Sequence, residues 1–158
     1  MRRAALRAME QNTIRLLAAT LFLWTVAIPD FRTKRIPVWM PSVFFLLAFL
    51  ADLRFPFGMR RQELWAGAIP GVFLLLLSLP AKGKIGEGDG ICLLVCGLFT
   101  GITQAVLIAE AALVLAATAG MICVLTKTLR AEDRIPFVPF LAIASTLLLL
   151  LKYVGERG

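Results

Sequence analysis

Histidine is missing from all 158 residues. Its absence excludes His-ligated zinc centres, HExxH hydrolysis and every nucleophile that depends on an imidazole base. Hydrolytic chemistry in this chain has to run on carboxylates, or on Ser or Cys with Lys. Cysteine is scarce: Cys92, Cys96 and Cys123 all stand in apolar runs. Cys92 and Cys96 share a helix face, but there is no CxxC pair and no cluster of zinc ligands. They read as small buried hydrophobes, and neither a metal nor a cofactor is expected. Long polar stretches are lacking too. Hydrophobic residues make up 59% of the chain and the mean hydropathy is +0.85, whereas an ordinary soluble domain is about 45–50% apolar. A chain this short buries only about two-thirds of its surface on folding. The solvent for the remainder has to be lipid.

Charged residues punctuate the chain. The charge-free runs are 16–29, 36–51, 64–81, 90–109, 111–126 and 135–151, each close to the roughly 17–25 residues of a membrane span or slightly shorter. Glu110 divides the fourth and fifth runs, yet its neighbours Ala109, Ala111 and Ala112 include no turn former. Thr100-Gly101-Ile102-Thr103-Gln104 does resemble a turn, and the break belongs there. Glu110 then lies inside the fifth helix near one end. It is either an intramembrane functional carboxylate or a helix-end residue that reaches the interface. The expected fold is an all-α integral membrane protein, a single-domain bundle of six transmembrane helices. The expected helices cover about 14–29, 36–51, 64–80, 89–101, 104–126 and 136–153.

Arg2, Arg3 and Arg7 ahead of an apolar stretch resemble a signal peptide, but no A-x-A-like site follows and Pro29-Asp30 comes directly after. The first helix is therefore read as retained. The net charge of +7 is better explained by basic loops lying against anionic lipid than by nucleic acid, and no nucleic-acid partner is expected. Loops 1, 3 and 5 carry eight positive residues and the other side nine. The charge rule for topology is therefore indecisive from Met1, and a start at Met9 would favour loops 1, 3 and 5 in the cytoplasm.

Two aspartates stand beside apolar runs. Asp30 ends the first helix and Asp89 opens the fourth, within Gly86-Glu87-Gly88-Asp89-Gly90. Two crossings separate them, so they lie on the same membrane side whichever side that is. The fourth helix, at about 12–15 residues, spans only about 18–22 Å of a hydrocarbon core about 30 Å thick. Asp89 is therefore expected in a recessed pocket. A pair of carboxylates sharing one proton is what an aspartic protease uses: one takes a proton from water while the other gives one to the scissile carbonyl. The glycines allow close backbone approach. A phosphate site is disfavoured, because no GK[ST] ending follows and the loop is acidic. For Asp89 alone, helix capping is a sufficient explanation; it does not account for Asp30.

Three segments resemble those of the type IV prepilin peptidases. Asp30-Phe31-Arg32-Thr33-Lys34-Arg35-Ile36-Pro37 resembles their D-x-R-x-x-R-I-P-N segment. Lys84-Ile85-Gly86-Glu87-Gly88-Asp89 resembles their GxGD motif. Ile135-Pro136-Phe137-Val138-Pro139-Phe140 resembles the I-P-F-G-P-F segment that opens their last helix. The resemblance covers most of the chain. It implies a membrane-embedded aspartic endopeptidase with Asp30 and Asp89 catalytic and Gly86, Glu87 and Gly88 supporting the loop. Arg32, Lys34, Arg35 and Pro37 would be candidate contacts to substrate or lipid. The implied partner is a prepilin, pseudopilin or preflagellin with a basic leader and an apolar helix, cut on the cytoplasmic side of the cell membrane. The chain departs from the pattern at Val38, at Gly90-Ile91 after the GxGD motif, and at Val138. These changes leave the dyad intact and alter substrate contacts. The paired cysteines of the larger, methylating members are missing, so no methyltransferase activity is expected.

Two other classes remain open at the level of sequence. A small proton-coupled transporter would use Glu110, Asp30 and Asp89 as a relay, although two acidic groups on one side fit that poorly. A presenilin-like GxGD protease would carry Tyr-Asp and Pro-Ala-Leu motifs, and Tyr153, the single tyrosine, does not precede Asp.

Overall fold

A computed structural model of the chain describes residues 2–33, 36–37, 39–54, 61–80, 86–127 and 136–155. It is all-helical over these residues. The elements are α1 (Arg2–Thr33), α2 (Trp39–Arg54), α3 (Arg61–Gly67), α4 (Ile69–Ser78), α5 (Glu87–Thr100), α6 (Ile102–Leu125) and α7 (Val138–Gly155). α3 and α4 form one rod with a slip at Ala68, where the Ala68 N–H turns back to Trp65 O at 3.1 Å. Pro70 sits in the first turn of α4, where its missing N–H is no loss. The rods therefore number six among the described residues, and the chain is a helical membrane protein, as its composition predicts.

Three helical segments are long and apolar enough to cross a bilayer: Gln11–Thr33, Ile102–Leu125 and Val138–Gly155; Trp39–Leu50 and Gln62–Ser78 are shorter and also apolar. The outside of the bundle is apolar. Leu21, Phe73, Val114 and Leu151 are all at least 60% exposed, which is stable against hydrocarbon and not against water.

α5 is the centre. It packs against every other helix, and Cys92, Val95 and Cys96 on it are fully buried. Its 14 residues reach about 21 Å, less than the hydrocarbon thickness, whereas the 24 residues of α6 reach about 36 Å, so α5 spans only part of the length of its neighbour. Gly101 alone joins it to α6, with φ 80°, a conformation only glycine adopts without strain. Glycines also bring the rods together. A Cβ on Gly97 would strike the Gly67 carbonyl, and one on Gly90 would meet the Leu75 amide nitrogen at 2.9 Å. Small residues at such crossings let backbones approach, which is how membrane helices gain packing energy.

α1 continues through Pro29 to Thr33, four residues beyond the expected end near residue 29. Pro29 leaves the Thr25 carbonyl without its helical donor, a local cost that the packing of α1 against α7 and α5 outweighs. α1 thereby carries Asp30 inside a helix and not in a loop.

Candidate active site

Two enclosed carboxyl groups define one end of the bundle. Asp30 is 1% exposed and Asp89 5%. Asp30 points from the last turns of α1 into the core, on the same face as Leu23 and Val26, both fully buried. Its Oδ2 accepts the backbone N–H of Val138 at 3.3 Å. Val138 is the first residue of α7, so this N–H belongs to the orphan donors of a helix start. The local sequence clears the others away. Pro139 has no N–H, and the Phe140 and Leu141 N–H groups both turn to Phe137 O, at 3.0 and 3.2 Å. Asp30 thus takes the one donor that the start of α7 leaves over, at the positive end of that helix.

Asp89 lies in the first turn of α5, and its own N–H closes onto Gly86 O at 3.0 Å. Gly86 precedes the helix in an extended conformation. One turn further on, the Cys92 thiol is fully buried and lies within electrostatic reach of both Asp89 and Asp30. Both carboxylates therefore lie near this thiol, Asp89 in the first turn of α5 and Asp30 in the last turns of α1 against the start of α7. A third contact draws the same elements together: a Cβ on Gly88 would meet Ile36 Cδ1 at 2.8 Å and Ile36 Cβ at 3.0 Å. Ile36 lies just beyond α1, six residues after Asp30. The close fit of Ile36 on Gly88 locks the segment leaving α1 onto the start of α5.

The other expected site residues are spread around this region. Gly86 is buried, Gly88 half-buried and Glu87 exposed. Arg32 is exposed on α1, and Pro37 is half-buried, with its carbonyl accepting the Met40 N–H at 3.0 Å. Lys34 and Arg35 lie outside the described residues. Among the described residues, no group of three Cys, Asp or Glu converges as a metal-ligand set. The sequence names Ile36 and Val138 only within the resembling segments and Cys92 as a small buried hydrophobe; the structure adds the Val138 N–H on Asp30, the fit of Ile36 on Gly88 and the full burial of Cys92.

The fold and this site define a helical membrane protein with two enclosed acidic side chains held at helix starts on one end of the bundle. The sequence model of the type IV leader peptidase family, peptidase A24, matches residues 17–151, and the chain belongs to that family. It is a type IV leader peptidase-like protease. No curated protein and no solved structure matches the chain significantly.

Proposed function

We propose that the chain is a membrane-embedded aspartic endopeptidase that removes the basic leader from prepilin-like precursors (Flp pilin, pseudopilin or preflagellin) at the cytoplasmic face of the cell membrane. The observation that carries this reading is the pair of buried carboxylates, Asp30 and Asp89, on helix ends that the fit of Ile36 on Gly88 draws together, in a chain of the leader peptidase family.

The chemistry follows from the two carboxyl groups. They hold one proton between them. The ionised one takes a proton from a water molecule as the water oxygen attacks the scissile carbonyl carbon. The protonated one gives its proton to the carbonyl oxygen. Collapse of the tetrahedral intermediate breaks the C–N bond: the proton gained from water goes to the leaving nitrogen, and one hydroxyl of the intermediate returns its proton to the carboxylate that had protonated the carbonyl oxygen, which restores the pair. No covalent intermediate forms. The Val138 N–H holds Asp30 in place through this cycle, and the low-dielectric surroundings strengthen each charge interaction. Glu87, exposed in the first turn of α5, is placed to meet the basic leader.

Coexpression of a prepilin with Asp30→Asn or Asp89→Asn tests the assignment. Each variant should lower leader removal by at least about 100-fold, the lower end of what general acid–base catalysis supplies. Unchanged cleavage by either variant rejects the dyad.

A further inference from the structure

We propose that the groove between α1 and α7 seats the apolar helix of the leader-bearing substrate, entering from the bilayer beside Asp30. This rests on the reading of the chain as a leader peptidase. The groove has a volume of about 350 Å³ and is lined by Trp24, Ala27, Ile28 and Phe31 of α1 and by Pro139 and Ile143 of α7, with Arg32 at its edge.

The covalent structure of the substrate sets the first constraint. The bond to be cut joins a polar leader to an apolar helix, and an extended residue spans at most about 3.6 Å. The substrate's helix must therefore lie against the lipid-facing surface nearest the carboxylates. Among the described residues, packing closes the sides of the site that face α2 and α4. Phe44 of α2 packs at a tilt of 44° on Phe22 with ring centroids 4.6 Å apart, Ile36 covers Gly88, and Leu75 of α4 lies against Gly90. Among the described residues, the α1/α7 side faces outward, with Ile28, Phe31 and Ile143 exposed. There the wall between groove and carboxylate is thin. It consists of Ala27, three residues before Asp30 and 3% exposed, and of the first turn of α7, where the Val138 N–H donates to Asp30 and Pro139 lines the groove.

The groove also has the form of a helix seat. Leu17, Leu21, Trp24, Ile28 and Phe31 recur at intervals of three and four along α1, and all are exposed. Ile143, Leu147 and Leu150 recur in the same way along α7. Two such rails on adjoining helices receive the side chains of a third helix as knobs into holes. The Trp24 indole N–H donates to Thr146 Oγ1 at 3.0 Å and ties the two helices together. Arg32 at the mouth repels a basic leader, which directs it across the site toward Glu87 and away from α1.

The test uses the full-length protein in membranes, with p-benzoylphenylalanine at position 28, 143 or 113. The probe is a precursor with a basic leader, a glycine and a 20-residue apolar helix, and it is scored for capture whether cut or uncut. Capture from positions 28 and 143 and little from Leu113, exposed on α6, is the expected result. The double variant Ile28→Trp, Ile143→Trp fills the groove. It should lower kcat/KM for this precursor at least tenfold, while a short peptide spanning the same junction without the helix is cut at the original rate. Equal capture from position 113, lipid as the sole adduct at 28 and 143, or an equal effect of the double variant on both substrates overturns the proposal. Failure of the aspartate variants to lose cleavage would reject the catalytic reading and leave the capture result standing.

Discussion

At the scale of single residues, the site depends on what is small and on what the backbone offers. Gly88 has no room for a Cβ against Ile36. Ile36 can yield at Cδ1 but not at Cβ, so Gly88→Ala should move the segment beyond α1 away from the start of α5. Leader cleavage should fall about tenfold, and the added Ile36→Ala change should restore much of it; the measurement is precursor conversion by the two variants. A loss that Ile36→Ala does not restore would mean the glycine serves something other than this contact. The Val138 donor can be removed alone by an amide-to-ester replacement at that position, which deletes the N–H and keeps the side chain. A hydrogen bond to a charged group contributes about 1.5–3 kcal/mol. Cleavage should accordingly drop by roughly 10- to 100-fold, and the thermal midpoint should fall with it, because the same bond ties the end of α1 to the start of α7. Residue types point toward Asp30 and Asp89 because carboxylates are rare in this chain and both stand at the margins of apolar runs. They do not point to Val138, because a main-chain donor carries no residue signature, nor to the fit of Ile36 on Gly88, which joins positions 52 residues apart.

At the scale of elements, charge-free runs make the rods legible, and Gly101 makes the α5–α6 break legible, because each has a direct physical cause in composition. The slip at Ala68 is not legible: Gly67-Ala68-Ile69 reads as continuous helix, and the break follows from Gly67 being drawn against Gly97. The helical continuation through Pro29 is hidden for the converse reason, since tertiary packing overrides a local breaker. The Gly67–Gly97 crossing fixes how close α3 can come to α5. Gly97→Ala sets a methyl group against backbone and not against a flexible side chain, so it should cost near the top of the about 1–3 kcal/mol of overpacking. A lowered thermal midpoint in detergent micelles would register this, and an unchanged midpoint would show that the rods separate freely. α6 tests the transporter alternative. Glu110 is exposed and stands eight residues into a 24-residue helix, about 12 Å from its start. It is therefore no helix-end residue. As it lies on the outside of the bundle, Glu110→Gln should leave leader cleavage within about twofold. A loss comparable with that of the aspartate variants would bring it into the proton chemistry.

At the scale of the whole molecule, the unresolved matter in the sequence is which face is which, because eight basic residues oppose nine. The folded chain ties three helix ends together at one face. The Asp30–Val138 bond joins the end of α1 to the start of α7, and the Ile36–Gly88 fit adds the start of α5. The topology of the entire bundle is then one binary choice, and the proposed function makes it. A basic leader is costly to draw across a bilayer, since each Lys or Arg near the hydrocarbon centre costs about 2.5–3.5 kcal/mol. The leader therefore stays in the cytoplasm where it was made, and the face with the aspartates must be there to meet it. Single cysteines decide the matter. Cys92 and Cys96 are buried, so replacing Cys123 with Ser leaves a suitable background. Thr33→Cys at the end of α1 and Lys127→Cys beyond α6 are both at exposed positions. They should react with a membrane-impermeant maleimide only after the membrane is opened. Gly155→Cys, exposed at the far end of α7, should react in intact spheroplasts. The reverse pattern would place both aspartates outside the cell, where a basic leader anchored in the cytoplasm never reaches them, and the proposed activity would fall with the topology.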